Sequence, residues 1–174
     1  MKFGFSLPST RRRTVLKWSV LLVSAAIALA VDLVTKHMAE QQLVLGETRK
    51  ILPFFFLERT ANSGVAFGLL GGRLTVIIIG NFVALLVVFL FVAFERRALL
   101  AGIGGGLIVG GSLGNLVQRV TGDGHVTDFL RFPYWPNYNM ADVFIFAGIA
   151  VIFLGLGLET VRVWKAGRQR PASQ

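Results

Sequence analysis

Length, composition and charge exclude a disordered chain and an ordinary water-soluble enzyme. The chain has 174 residues, of which 54% are hydrophobic and only 16% are charged, against roughly 25% charged residues in soluble domains. A soluble protein of this size could not bury that much apolar surface. The absence of cysteine excludes disulfide bonds, thiolate metal sites and a cysteine nucleophile.

Four apolar segments predict a mostly α-helical integral membrane protein, a bundle of four transmembrane helices. Residues 74–94 and 98–118 carry no charged side chain, and each segment is long enough to cross a hydrocarbon core of about 30 Å. Residues 18–31 and 143–158 are shorter, and each is bordered by an aspartate that would lie at or within the membrane surface. We predict one membrane domain, residues 1–174, with spans of about 17–36, 74–94, 98–118 and 140–160.

Basic residues orient these spans. Most of the 18 lysines and arginines precede span 1, separate spans 2 and 3, or follow span 4. The positive-inside rule therefore predicts cytoplasmic termini and extracytoplasmic connections at residues 37–73 and 119–139. The net charge of +9 is then a topology signal and a contact with anionic membrane lipids, and we expect no nucleic-acid binding.

The N-terminus also permits a second interpretation. Arg12 and Arg13 resemble a twin-arginine signal, and residues 28–30 (Ala-Leu-Ala) resemble a signal-peptidase cleavage site. Cleavage there would leave the later spans unchanged but would free Asp32 from its helix. Three further spans and an apolar run that continues past Ala30 favour an uncleaved first span.

The connection after span 1 predicts a small extracytoplasmic β-sheet that forms a cradle at the membrane interface. We predict extended structure at residues 43–45, a turn near Gly46, and a second piece at residues 51–57. Pro53 restricts that second piece to an edge position. Residues 62–64 (Asn-Ser-Gly) predict a further turn.

Span 3 predicts unusually close helix packing. Glycine recurs at every fourth position, at Gly102, Gly106, Gly110 and Gly114. Such a face lets another helix approach closely, and it could also admit a lipid chain. Asn115 and Arg119 share one side of the helix at its outer end, where an amide in an apolar region needs a hydrogen-bond partner.

Two aspartates are candidates for acid–base chemistry. Asp142 follows Asn139 at the start of span 4, where an acid alone could serve as a helix cap. Asp128 lies between apolar neighbours in a segment that must fold back to the membrane. Two close carboxylates in a low dielectric would share a proton, so one could activate water while the other protonates a carbonyl. Composition and spacing allow this pair but do not establish it.

Metal binding is an alternative for the same segment, with Asp123, His125 and Asp128 as hard ligands. The set lacks a motif such as HExxH. We therefore expect neither a metal nor a cofactor.

Five segments, in order along the chain, resemble the lipoprotein signal peptidase family, the signal peptidase II of bacteria. They are Asp32-Leu33-Val34-Thr35-Lys36, Asn62-Ser63-Gly64-Val65-Ala66-Phe67, residues 110–119 (Gly-Gly-Ser-Leu-Gly-Asn-Leu-Val-Gln-Arg), His125-Val126-Thr127-Asp128-Phe129 and Asn139-Met140-Ala141-Asp142. One position departs from the family pattern, since Gln118 stands where the family usually has an aspartate. This departure puts in doubt a charged partner for Arg119 at that point, although a glutamine can still accept a hydrogen bond.

The resemblance implies an aspartyl endopeptidase of the bacterial inner membrane, with its active site near the outer face. It would cleave the signal peptide from diacylglyceryl-modified prolipoproteins immediately before the lipidated cysteine, and globomycin-type cyclic peptides would inhibit it. The catalytic pair would be Asp128 and Asp142. The residues that would bind substrate or support the site are Asp32, Lys36, Asn62, Gly64, Asn115, Arg119 and Asn139. We expect the protein to act as a monomer.

A transporter or channel is the alternative from another functional class, because intramembrane carboxylates can relay protons or bind cations. The acids cluster at one interface, however, and no span carries one at its midpoint. An inactive lipoprotein-binding homologue is a third possibility. The presence of both Asp128 and Asp142 argues against it.

Overall fold

The predicted fold class is confirmed by the structure, a computed structural model that describes residues 9–64 and 74–168. The described residues form α1 (Ser9–Gln42), β1 (Thr48–Leu52), β2 (Phe55–Asn62), α2 (Leu74–Phe94), α3 (Ala98–Thr121), β3 (Val126–Arg131) and α4 (Met140–Arg168). These four helices are long and apolar enough to cross a membrane. Part of the motif at residues 62–67 lies outside the described residues.

The first and last helices extend beyond the predicted spans. α1 has 34 residues and is therefore about 50 Å long, more than a bilayer core requires. Charged and polar turns at each end continue the helix outside the apolar segment, so counting charge-free residues underestimates its length. α1 runs without a break through Ala30. That the first span stays uncleaved remains a prediction.

α3 lies against both α1 and α4, and its glycines provide the space. A Cβ atom on Gly106 would come within 2.6 Å of the carbonyl oxygen of Leu21 in α1. On another face of α3, a Cβ on Gly111 would collide with the carbonyl of Ala141 in α4. The predicted close packing is therefore confirmed, and it occurs on two faces. α2 packs on α3 and leaves most of its apolar side chains exposed.

The sheet has the order β1-β2-β3, and both pairs of strands are antiparallel. Two details of the prediction are wrong. Residues 43–45 form no strand, because Leu43 continues the apolar face of α1 and packs with Ala39 and Phe129. Pro53 lies in the β1–β2 turn rather than in an edge strand. The predicted turn near Gly46 is present, and Gly46 has a φ of 82°.

The third strand, β3, was not predicted from the sequence, and it joins the two polar connections. It pairs with β2 although the two strands are far apart along the chain, with Thr60 opposite Asp128 and Ala61 opposite Thr127. Phe129 packs on the end of α1. The sheet is thereby attached to one end of the helix bundle, which we call the sheet end.

The opposite end of the bundle contains a buried lysine. Lys17 of α1 donates hydrogen bonds to the backbone oxygens of Val92 at 2.6 Å, Ala93 at 3.2 Å and Glu95 at 3.0 Å. The last carbonyls of a helix lack intrahelical partners, and a cation there also interacts favourably with the helix dipole. Lys17 therefore caps the end of α2.

Candidate active site

The sheet end gathers every site residue that the sequence indicated. Asp32 and Lys36 lie on α1, Asn62 and Gly64 at the end of β2, Asn115 and Arg119 on α3, Asp128 on β3, and Asn139 and Asp142 at the start of α4. Seven of these residues join in one network of hydrogen bonds, in which bonds between side chain and backbone link Asn139 to Asp142. Gly64 and Arg119 lie beside it.

Asp128 is buried, and two asparagine amides bind its carboxylate. Oδ1 accepts a hydrogen bond from Asn139 Nδ2 at 2.6 Å, and Oδ2 accepts one from Asn62 Nδ2 at 2.8 Å. Burial, together with the charge of Asp142, raises the pKa of Asp128 to about 6, against the opposing effect of the two amides. Asp128 can therefore exchange a proton close to neutral pH.

Asp142 caps its own helix and also faces the site. Its Oδ2 accepts a hydrogen bond from the backbone N–H of Asn139 at 3.2 Å, while its own N–H donates to Asn139 Oδ1 at 3.2 Å. This reciprocal arrangement is a capping box. Its other oxygen, Oδ1, accepts from Asn115 Nδ2 at 2.9 Å. Asp142 can therefore cap its helix and face the site at the same time.

Asn139 connects the two carboxylates. Its side-chain oxygen binds the backbone of Asp142, and its side-chain nitrogen binds Asp128. One residue thereby fixes both the first turn of α4 and the position of the acid on β3.

Asp32 and Lys36 form a buried ion pair one helical turn apart. Lys36 Nζ lies 2.6 Å from Asp32 Oδ2 and donates to Asn115 Oδ1 at 2.8 Å. The other oxygen of Asp32 accepts from the N–H of Ala141 at 2.7 Å. Because Lys36 occupies the oxygen of the Asn115 amide, the nitrogen of that amide is directed at Asp142. A Cβ on Gly114 would overlap the Asp32 carboxylate, so this contact requires glycine.

The turn after β2 orients Asn62. The N–H of Gly64 donates to Asn62 Oδ1 at 2.7 Å, which leaves the amide nitrogen to bind Asp128, and Gly64 has a φ of 78°. The predicted turn is therefore confirmed. Asn62 is exposed and Asp142 is partly exposed, so the site is open on this side.

Arg119 lies beside the site, and among the described residues it makes no hydrogen bond to a carboxylate. Its Nη1 donates to the backbone oxygen of Asn115 at 3.4 Å, and its Nη2 would be 3.3 Å from a Cβ on Gly64. Its Nε is buried and has no hydrogen-bond partner among the described residues. Arg119 therefore keeps donor capacity for a group that enters the site.

Three contacts beside the site were missed in the sequence analysis. Gln118 binds Glu40 and the N–H of Thr127, and Thr127 also binds Glu40. The expectation that Gln118 can accept a hydrogen bond is confirmed. Glu40 follows Lys36 by four residues and so shares its helix face, a spacing that could have identified it.

The segment considered for metal binding is arranged differently. His125 is exposed, and its ring Nδ1 lies 2.9 Å from the backbone oxygen of Asp123. Among the residues that the structure describes, no group of three or more His, Cys, Asp or Glu side chains could hold a metal ion. Asp128 binds asparagine amides instead.

Comparison with known proteins identifies the family. Residues 24–157 match the family model described as signal peptidase (SPase) II. The chain belongs to the signal peptidase II family. A protein named lipoprotein signal peptidase from Symbiobacterium thermophilum is 35% identical over 144 residues, which cover 79% of this chain and 93% of that protein. The protein of that name from Mesorhizobium japonicum is 38% identical over 143 residues, covering 78% and 83%.

Solved structures show the same fold for this signal peptidase II family member. A bacterial membrane enzyme determined by the in meso method at 1.9 Å resolution is similar with a TM-score of 0.72 and 26% identity, covering 79% of this chain and 92% of that one. A second, determined at 2.3 Å, has a TM-score of 0.73 at 23% identity, covering 90% and 94%. The second supports the fold alone.

Proposed function

We propose that the protein is an aspartyl endopeptidase that removes the signal peptide from diacylglyceryl-modified prolipoproteins, immediately before the lipidated cysteine. The observation that carries this proposal is the linkage of Asp128 and Asp142 through Asn139, in a site that is open on one side. Membership of the signal peptidase II family and relatives named lipoprotein signal peptidase support the substrate class.

The two acids take different roles in this mechanism. Asp142 acts as the general base and removes a proton from a water molecule, whose oxygen attacks the scissile carbonyl carbon. Asp128, whose burial raises its pKa to about 6, donates its proton to the carbonyl oxygen. The proton held by Asp142 then passes to the amide nitrogen as the C–N bond breaks, and Asp128 recovers its proton as the carbonyl re-forms.

The other site residues support these steps. Asn115, held by Lys36, orients the carboxylate of Asp142, and Asn62 orients that of Asp128. The Arg119 donors that have no partner among the described residues would bind a carbonyl of the incoming peptide. Asp32 joins α1 to the first turn of α4 through the N–H of Ala141.

The charge pattern supports a location in the bacterial inner membrane, with cytoplasmic termini and the sheet end outside. Exposed apolar side chains on the sheet and on the following loop, including Phe54 and Trp135, fit contact with the membrane interface. A lipidated substrate would then enter laterally from the bilayer, to an enzyme that acts as a monomer among membrane lipids.

The decisive experiment uses a purified lipidated precursor and follows release of its signal peptide. We expect Asp128→Asn and Asp142→Asn each to reduce turnover at least about a thousandfold, while both variants insert and elute as the parent does. Asp123→Asn, an exposed acid in the turn before β3, is the matched control and keeps parental activity. We also expect globomycin to block the parent enzyme.

Two results would contradict the proposal. Turnover above about a thousandth of the parent in either asparagine variant would exclude the dyad. Proton-coupled flux in proteoliposomes without peptide release would indicate a carrier.

A further inference from the structure

Gln118 of α3 lies between the first part of β3 and the end of α1. Its Nε2 donates to Glu40 Oε1 at 2.9 Å, and its Oε1 accepts from the backbone N–H of Thr127 at 2.9 Å. The hydroxyl of Thr127 donates to the same oxygen of Glu40 at 2.5 Å. The three residues therefore form a closed triangle of hydrogen bonds, which we call the Gln118 triangle.

Each corner of the Gln118 triangle lies next to a site residue on the same element. Glu40 is one helical turn after Lys36, Gln118 is about one turn after Asn115, and Thr127 directly precedes Asp128. The triangle joins the three elements that carry these site residues, but among the described residues its side chains make no hydrogen bond to the carboxylate of Asp128 or Asp142.

The position of Asp128 depends on how β3 is held along both edges. On one edge, β2 pairs with β3, with Ala61 opposite Thr127. On the side facing the helices, Gln118 and Glu40 bind the backbone and side chain of Thr127. Asp142 sits on α4 and is fixed through Asn115 of α3. The hydrogen bonds from α3 to β3 therefore help to set the position of the Asp128 carboxylate relative to that of Asp142.

We propose that Gln118 is a positioning residue for the reaction: together with Glu40, it sets the placement of Asp128 relative to Asn115 and Asp142. This inference rests on the proposed peptidase function. A displacement of about 1 Å can cost on the order of a hundredfold in rate, so a residue that touches no reacting atom can control turnover.

The chemistry of the triangle requires an amide at position 118. The glutamine accepts a hydrogen bond from Thr127 and donates one to Glu40 at the same time, and a carboxylate has no hydrogen to donate when ionised. A glutamate at 118 would keep the bond to Thr127 but would place a second negative charge against Glu40. The replacement Glu40→Gln would restore a donor, with the direction of the bond reversed.

The test is a double-mutant cycle of Gln118→Glu, Glu40→Gln and the two combined, assayed as full-length protein with the lipidated precursor. We expect Gln118→Glu to lower kcat by roughly tenfold to a hundredfold with KM within about threefold. Glu40→Gln, which keeps an acceptor, stays within about threefold of the parent, and the double variant regains at least about tenfold over Gln118→Glu. Gln41→Glu is the matched control on the exposed face of α1, and it keeps parental activity.

Thermal unfolding of each variant, measured in the same detergent, separates positioning from simple loss of fold. A fall in kcat at nearly constant Tm, rescued by the second change, supports the proposal. Parental kcat per folded molecule in Gln118→Glu, or no recovery in the double variant, would overturn it. Failure of the proposed function is a different result, since it would appear as activity in Asp128→Asn.

Discussion

Two buried lysines on the same helix mark the two ends of the molecule, and they differ in what they bind. Lys17 is 8% exposed and binds only backbone oxygens at the end of α2, among the described residues. Lys36 is 1% exposed and binds the side chains of Asp32 and Asn115. A buried charge alone therefore does not identify a functional site. The two lysines differ in whether their partners are hydrogen-bonded in turn to groups that can exchange protons.

The acids at the two ends differ in the same way. A hydrogen bond from Arg97 lowers the pKa of Glu95 to about 2, so Glu95 stays ionised throughout the physiological range. Burial instead raises the pKa of Asp128 to about 6. One end of the bundle has fixed charges, and the other has an acid whose charge can change.

Replacing each lysine with methionine gives the largest expected effect on this comparison. Lys36→Met leaves Asp32 as an unpaired buried charge and removes the hydrogen bond that orients Asn115. We therefore expect peptide release to fall at least about a hundredfold. We also expect the free energy of unfolding to fall by about 3–5 kcal/mol. Lys17→Met leaves backbone carbonyls unpaired, which costs about 1–3 kcal/mol, with turnover per folded molecule within about twofold. Equal losses of turnover in the two variants would show that the ends do not differ in function.

A pair of glycine substitutions tests the packing beneath the site. Gly114→Ala forces a methyl group against the Asp32 carboxylate, and we expect a loss of roughly 1–3 kcal/mol in stability together with lower activity. Gly157→Ala, in open space on α4, should stabilise the protein by up to about 1 kcal/mol without changing activity. Chemical unfolding in mixed micelles measures both, and a neutral Gly114→Ala would contradict the contact.

The raised pKa of Asp128 predicts a stability that depends on pH. The folded protein holds a proton that the unfolded chain loses near pH 3.8, so this stabilisation is complete below that pH and is lost as the pH rises through about 6. Compared with Asp128→Asn, the parent should lose up to about 3 kcal/mol between pH 4 and pH 8. A difference between the two proteins that stays constant with pH would show that the pKa of Asp128 is not raised.

Removal of metal ions gives the smallest expected effect, which is none. Asp128 binds two asparagine amides, so EDTA should leave peptide release unchanged. Inhibition by EDTA that zinc reverses would require the metal interpretation instead. The variants of the Gln118→Glu and Glu40→Gln cycle serve as an internal control, because EDTA should not change their activities relative to the parent.

The sequence predicts the helices well because apolar length and charge placement are local properties. It predicts the close packing of α3 for the same reason, since the repeat of glycine is visible along one helix. β3 escaped prediction because its pairing with β2 joins segments that are distant in the sequence. The burial of Lys17 was also not predicted, because a basic residue before an apolar run gives the same sequence pattern whether it faces lipid headgroups or a helix end.

The residues themselves indicate Asp128, Asp142 and Asn115 as candidates, but only the family resemblance joins them with the other residues into one site. Nothing local relates Asp32 to Ala141 or Asn62 to Asp128, and these bonds depend on which elements meet. The role of Gln118 could not be predicted in this way, because the resemblance marks it as a departure. Its contacts with Glu40 and Thr127 follow from the three-dimensional arrangement alone.

The double use of Asn139 has a consequence for how the protein is made. The side chain that caps the start of the final helix is the same side chain that orients the acid on β3. A nascent chain whose last segment has not yet entered the bilayer therefore lacks both Asp142 and the amide that orients Asp128. Under the proposed mechanism, peptide hydrolysis therefore begins only once α4 is in place, and neighbouring polypeptides are not exposed to an incomplete protease during biogenesis.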